Sequence, residues 1–205
     1  MSDYSQFWRP TAVRSFHVLL LLSLTLTEVF AQEHDSSTSA VTGFYGAPEV
    51  RLGTVRDIAG VFVGGRGGWV FDRAYAVGLG GYILTTNVNA RSPDSTGQNR
   101  VGTSYGGLDF EYFVSTDGLF HVTAQTLVGA GAVSYRQQPY TNQRPRLDSF
   151  FILEPGLMLN VVVTKIVRVG LGVSYRFVQG LSSHLATNSD LTGPSANLTL
   201  RVEAM

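Results

Sequence analysis

Four histidines and no cysteine are all that the chain offers for chemistry built on imidazole or thiolate. His184 stands near Ser182, Ser183 and Asp190, the residue types of a hydrolytic triad. A triad needs its hydroxyl, imidazole and carboxylate within hydrogen-bond reach of one another. Turns select Ser and Asp for their own backbone bonding, and that reading is the stronger one in this polar stretch. His34 lies in a segment rich in Ser, Thr, Asp and Glu, and His121 is followed by Val122 and Thr123. No His or Cys pair has the spacing of a metal site. Gly64-Gly65-Arg66-Gly67-Gly68 carries the glycines of a phosphate loop, but no Lys-Ser/Thr closes it. No catalytic residue, cofactor or metal ligand is expected.

The acids and arginines form a different pattern. Glu49, Arg51, Arg66, Asp109, Glu111, Glu154, Arg168, Arg176, Arg201 and Glu203 all fall on the polar phase of alternating apolar/polar stretches. The clearest stretch puts Val167, Val169, Leu171, Val173, Tyr175 and Phe177 on one face and Arg168, Gly170, Gly172, Ser174 and Arg176 on the other. Alternation of this kind is a strand with two unlike faces. A slip of one residue would place both arginines among the apolar side chains, so the register is fixed. The last stretch sets Ala196, Leu198, Leu200 and Val202 against Ser195, Asn197, Thr199, Arg201 and Glu203 in the same way.

Eight such stretches run between Tyr45 and Glu203, and their connections are short and long by turns. Tight links fall at 72–73, 115–118 and 164–165, and long polar ones at 86–100, 137–149 and 179–192. Turns at one rim and loops at the other are the rhythm of a membrane barrel. The fold class is therefore all-β, an eight-stranded antiparallel up-and-down transmembrane β-barrel. The first link, 54–57, is short at the long-loop rim. Pro48 and Pro155 lie inside strands, where each should mark a bulge or a strand end. Tyr45, Trp69, Phe71, Tyr75, Tyr112, Phe113, Phe120, Tyr135, Phe150 and Phe151 gather near stretch ends, as girdles at the water–lipid boundaries would.

A barrel of about eight strands has an interior just wide enough for side chains to fill. The inward charges, of both signs, must then pair or meet water, and the inward glycines leave room for arginines to cross. This predicts a filled polar lumen rather than a pore. If Val114 faces Gly118, His121 lies beside Glu111 and Thr123 beside Asp109, while Glu154 lies diagonal to Arg176. His121 thereby joins the expected lumenal charge network.

Composition agrees. Only 15% of the residues are charged while 44% are hydrophobic, against about 25% charged in ordinary soluble domains. The formal net charge is +0, which gives nucleic acid no electrostatic footing. Residues 1–31 read as a secretory signal peptide: Arg9, Arg14 and His17 precede an apolar core from Val18 to Leu26, and Val29-Phe30-Ala31 closes it. Residues 32–42 read as a flexible leader, and 43–205 as the barrel.

The mature chain resembles the small outer-membrane β-barrels of the outer-membrane protein A and X type, as a branch of that superfamily. The likeness is carried by Tyr45-Gly46-Ala47-Pro48-Glu49-Val50, Gly64 to Trp69, Leu153-Glu154-Pro155-Gly156 with Asn160 and Thr164-Lys165, Arg168 to Arg176, and Gly193-Pro194-Ser195-Ala196. It implies a monomer in the outer membrane of a Gram-negative bacterium, inserted by the barrel-insertion machinery and surrounded by outer-membrane lipid and lipopolysaccharide. The chain departs from that family in ending Glu203-Ala204-Met205 rather than on an aromatic residue. His121-Val122-Thr123 also differs from the His-x-Ser-Asn motif of barrel lipid A deacylases. The expected function is non-enzymatic: a structural or loop-mediated adhesion and binding role at the cell surface. The alternatives are a lipid-modifying enzyme and a soluble lipocalin-like binder in the periplasm.

Overall fold

The two-residue turn at Asp72-Arg73 shows how this chain reverses. Both residues have positive φ, 50° and 55°, and the Ala74 N–H donates to the Phe71 carbonyl at 3.0 Å. A turn with φ > 0 at both central positions matches the right-handed twist of the strands it joins. The computed structural model describes residues 41–56, 58–86, 88–90, 99–115, 118–136, 146–181 and 187–204. These belong to one compact unit, Ala40–Met205. The expectations for the export signal, for His34 and His184, and for most of the long loops lie outside the described residues.

The described residues form nine strands and one short helix in chain order: β1 Val41–Val55, β2 Ile58–Phe71, β3 Tyr75–Leu84, β4 Val88–Ala90, β5 Asn99–Ser115, β6 Phe120–Arg136, β7 Arg146–Val162, β8 Val167–Gln179, α1 Asn188–Leu191 and β9 Gly193–Ala204. Each long strand pairs antiparallel with its neighbours, β9 returns to β1, and β3 pairs with β5. The sheet is thus closed, with eight staves. β4 is a three-residue rim extension that pairs with β5 alongside β3. β1 starts at Val41, two residues inside the stretch read as leader. β7 starts at Arg146, three residues before the end expected for its preceding loop.

Two expectations about irregularity are corrected. Neither Pro48 nor Pro155 makes a bulge: Pro48 faces Gly65 and Pro155 faces Thr126 in unbroken register. Each proline only interrupts pairing on its other side, and the register resumes there with the same offset. Losing one N–H weakens one ladder rung, and the rungs above and below hold the strand in line. The bulges instead lie between Val41 and Gly43 and between Phe113 and Ser115.

The outer wall is apolar. Leu171 and Val173 are 65% and 63% exposed, with Leu157, Leu198, Val50 and Leu108 around the same belt. Below the rim marked by Arg100, Arg136 and Arg146, no outward position of the described staves carries a charged residue. Such a wall is stable only against lipid. Val173→Arg should therefore cost about 2–4 kcal/mol of insertion free energy. The expected readout is a sharp fall in the vesicle-inserted, heat-modifiable fraction, while Gln179→Arg at the rim should be nearly silent.

Inside, the lumen is layered and not uniformly polar as expected. Toward the loop rim, Val55, Phe62, Tyr82, Leu84, Tyr105, Leu127, Val133, Phe150, Ile152, Val178 and Leu191 form one apolar cluster. Toward the turn rim, Tyr45, Ala47, Val70 and Ala76 form a smaller one, with Phe113 against it. The charges lie between. Tyr45 and Phe150, expected in the girdles, are instead 4% and 3% exposed and point inward, because their strand phase is that of Glu49 and Glu154. Most inward glycines serve strand approach more than arginine passage. A Cβ on Gly68 would lie 2.2 Å from the Val77 carbonyl oxygen, and one on Gly107 would lie 2.2 Å from that of Val128.

Candidate functional site

The only dense constellation of chemical groups among the described residues is the charged middle layer. It begins on β1, where Glu49 and Arg51 are two residues apart and so share the inward face. Arg51 Nε lies 2.6 Å from Glu49 Oε1 and its Nη1 lies 2.7 Å from Glu154 Oε2. The same guanidinium donates to the Tyr82 hydroxyl at 2.6 Å and to that of Tyr105 at 3.4 Å. Arg66, alone among the glycines of β2, reaches three carboxylates: Glu111 at 3.0 Å, Glu49 at 3.4 Å and Asp109 at 3.8 Å. It also donates to the Gln125 side chain. On β9, Arg201 pairs with Glu203 of its own face and with Glu111 across the lumen. Arg168 completes the run at 2.9 Å from Glu203.

Nine of the expected residues thus form one continuous chain of ion pairs, Glu154–Arg51–Glu49–Arg66–Asp109/Glu111–Arg201–Glu203–Arg168. Neutral partners complete it. Tyr45 donates to Asp109 at 3.1 Å, Thr199 to Glu49 at 2.8 Å, and Ser174 to Glu154 at 2.7 Å. Asn197 in turn donates to Ser174 at 3.1 Å. The rings of Tyr82 and Tyr45 lie under the guanidinium carbons of Arg51 and Arg201, at 3.6 and 3.8 Å from ring centroid, where the ring face attracts a cation. Apart from Arg168, every member is almost fully buried, so pairing is what makes the charges tolerable at all. Gln125, Tyr82, Tyr105, Thr199, Ser174 and Asn197 were missed as partners. The signal for them was their inward strand phase, which they share with the charged residues.

Two expected members stay outside. His121 is not beside Glu111: the bulge at Phe113/Ser115 and the wider turn put Gln125 opposite Glu111 and Leu127 opposite Asp109. His121 faces Asn160 of β7 instead, near the turn rim, with Nε2 3.1 Å from the Gly118 carbonyl oxygen. Arg176 lies at the level of Glu154 but does not pair with it, because Glu154 is engaged by Arg51 and Ser174. It donates instead to the carbonyls of Leu191 at 2.7 Å and Thr54 at 3.0 Å, with its guanidinium 4.5 Å from the Phe62 ring centroid.

Leu191 belongs to α1, which folds over the loop rim and puts that side chain into the upper apolar cluster. Asp190 accepts from the Thr187 N–H at 2.9 Å, and its carbonyl accepts from the Arg56 N–H at 2.7 Å. Arg56 Nε adds a 3.4 Å contact to the Asp190 carboxylate. The short first link is thus the wall against which this lid rests. Lid, apolar cluster and ion-pair chain thus lie in successive layers inside the barrel.

No protein-family model matches the chain, and a search of the curated proteins finds no relative. Solved structures do match in shape. The N-terminal β-barrel domain of Pseudomonas aeruginosa OprF superposes with a TM-score of 0.55 at 10% identity, covering 80% of this chain and 98% of that one. Neisserial surface protein A (NspA) gives 0.53 at 10% identity, covering 82% and 99%. At such identity the likeness is one of fold, and both are small outer-membrane barrels. The chain has the fold of the small eight-stranded outer-membrane β-barrels.

Proposed function

We propose that this protein is a non-enzymatic outer-membrane barrel whose lumen is a structural strut and whose activity lies at the loop rim, in adhesion or binding at the cell surface. The observation that carries this reading is the unlike pair of faces: an uncharged apolar wall outside, and inside a chain of ion pairs closed between two apolar layers. A soluble binder would need the reverse, a polar wall around an apolar cavity. The ion-pair chain is proposed as structural because its members pair with one another and all but Arg168 are almost fully buried, away from any substrate. Outside the membrane segment, the tall staves β5, β6 and β7 have 17 residues each, against the ~9–11 a tilted strand needs to cross. Their extra length raises the loop rim on that side.

The test is membrane fractionation with a heat-modifiable gel shift, followed by planar-bilayer recording. The protein should fractionate with the outer membrane, run as a compact form until boiled, and give no stepwise conductance. A protein found free in the periplasm would overturn the membrane assignment, and steady channel currents would overturn the closed lumen.

A further inference from the structure

Arg176 faces carbonyls where the other buried arginines face carboxylates. Arg51, Arg66 and Arg201 each pair with two or more acids. Arg176 is as deeply buried as they are, yet it has no carboxylate within ion-pair distance among the described residues. Its Nε donates to the Leu191 carbonyl at 2.7 Å and its Nη2 to that of Thr54 at 3.0 Å. Its Nη1 is buried without a hydrogen-bond partner. The guanidinium carbon lies 4.5 Å from the Phe62 ring centroid and 5.7 Å from that of Tyr105, against the upper apolar cluster. A buried cation with a spare donor lacks one anion.

The place of that anion is taken by one residue of α1. Leu191 puts its carbonyl oxygen on Arg176 and its side chain into the apolar cluster with Val55, Phe62 and Val178. An acid with the carbon skeleton of leucine would make both contacts and add the negative charge that the carbonyl lacks. In a buried site an ion pair with the guanidinium is stronger than its bond to a neutral carbonyl, and a planar carboxylate matches its fork of donors. One uncompensated arginine calls for one such group. The lid is also built to leave. A helix of four residues has no stability of its own. Besides Arg176, it is tied down by the Arg56 contacts to Asp190, at 2.7 and 3.4 Å, and by the Leu181 N–H donating to Asn188 at 3.0 Å.

We propose that Leu191 is a built-in stand-in for a ligand. In its place the loop-side end of the lumen binds a short branched aliphatic carboxylate, with the carboxylate on Arg176, the alkyl group in the apolar cluster and α1 displaced. The proposal rests on the reading above, that binding belongs to the loop rim, and it names the chemical class of the ligand.

The test titrates the full chain, in phosphatidylcholine nanodiscs, with isocaproate at neutral pH, using calorimetry against empty nanodiscs. Wild type should bind it saturably. Isocaproamide has the skeleton without the charge and acetate the charge without the skeleton, so each should bind about tenfold more weakly or worse. As the site fills, amide exchange at Thr192 and Arg56 should speed up by about tenfold or more, while that at Leu198 stays unchanged. Leu191→Ala removes the stand-in side chain and should tighten binding by about tenfold. Asp190→Ala loosens the lid from outside the slot and should tighten it too, which keeps the test intact if the first variant does not fold. Arg176→Met has a loose lid but no charge, and should bind about tenfold more weakly or worse, while Arg176→Lys should keep part of the affinity.

Equal affinity for the acid and the amide, or an unchanged affinity in Arg176→Met, would overturn the proposal. So would saturable binding that leaves exchange at Thr192 as it was, because the acid would then sit elsewhere. The heat-modifiable shift is measured on the same samples. Its absence in wild type would sink the membrane reading itself, and its presence with no binding of isocaproate sinks only the ligand site.

Discussion

Arg66→Met should lower the stability of the folded barrel by about 3–5 kcal/mol, the cost of removing one partner from a buried ion pair. Arg66 is the residue where this cost is concentrated. It is the one cation shared by Glu49, Asp109 and Glu111, and it ties β2 to β5 across the lumen, where no backbone ladder connects them. Methionine keeps the unbranched apolar stem that runs between the glycines of β2, so lost packing is the smaller part of the effect. What remains is an excess of carboxylate in a closed layer. Arg51 still meets Glu49 and Arg201 still meets Glu111, but Asp109 is left with only the Tyr45 hydroxyl. Urea unfolding of vesicle-inserted protein, followed by the gel shift, measures the loss. Removing the stranded charges as well, with Asp109→Asn and Glu111→Gln beside Arg66→Met, should recover most of it, because a neutral layer carries no unpaired ion. An unchanged urea midpoint in the single variant would mean that water reaches the charges, and the lumen would then have to be open.

The layer was legible in the sequence as a set of residues but not as a set of pairs. Strand phase alone placed Glu49, Arg51, Arg66, Asp109, Glu111, Glu154, Arg201 and Glu203 inside, because slipping any stave by one residue would turn charges to the outer wall. Pairs within one strand were within reach of the same argument, and Glu49 with Arg51 is one of them. Pairs across the lumen were not. Arg66 meets Asp109 through the stagger with which the sheet closes, and each stave contributes its own offset to that stagger. A β5–β6 connection wider than expected was enough to displace His121 from Glu111, and with the bulge near Ser115 it brings Gln125 there. Aromatic residues failed for a related reason: Tyr45 and Phe150 lie near stave ends, as girdle residues do, yet their phase is inward, and phase outranks position along the strand. The lid was illegible, since nothing in the local pattern of Asn188–Leu191 says that a polar connection will fold back and bury a leucine.

That lid gives Arg176 a role different from the other lumenal arginines, and this leads to the second large effect. Arg176→Met should leave the global stability of the barrel nearly unchanged while lowering hydrogen-exchange protection of the lid by about 100-fold. The two halves of the expectation come from opposite terms. Arg176 is 1% exposed and has no carboxylate within ion-pair distance among the described residues. Replacing a buried charge without a counter-ion by an unbranched apolar side chain is neutral or stabilising for the fold as a whole. The lid, however, is held by the hydrogen bonds from that guanidinium to the Leu191 carbonyl, 2.7 Å, and across to the Thr54 carbonyl, 3.0 Å. Bonds from a charged donor contribute about 1.5–3 kcal/mol each, so losing the pair shifts local opening by about 3 kcal/mol, or two powers of ten. The Arg56 and Thr192 amides, bonded to Asp190 and Asn188, should exchange faster, and the Leu198 amide in the β1–β9 ladder should not. Loss of protection in both places would mean that Arg176 holds the barrel and not the lid. Even with the lid open no current should appear, because the ion-pair layer beneath it still fills the lumen. An open lid would expose the upper apolar cluster to solvent, so binding of a hydrophobic dye to the inserted variant should rise together with the exchange rate at Thr192.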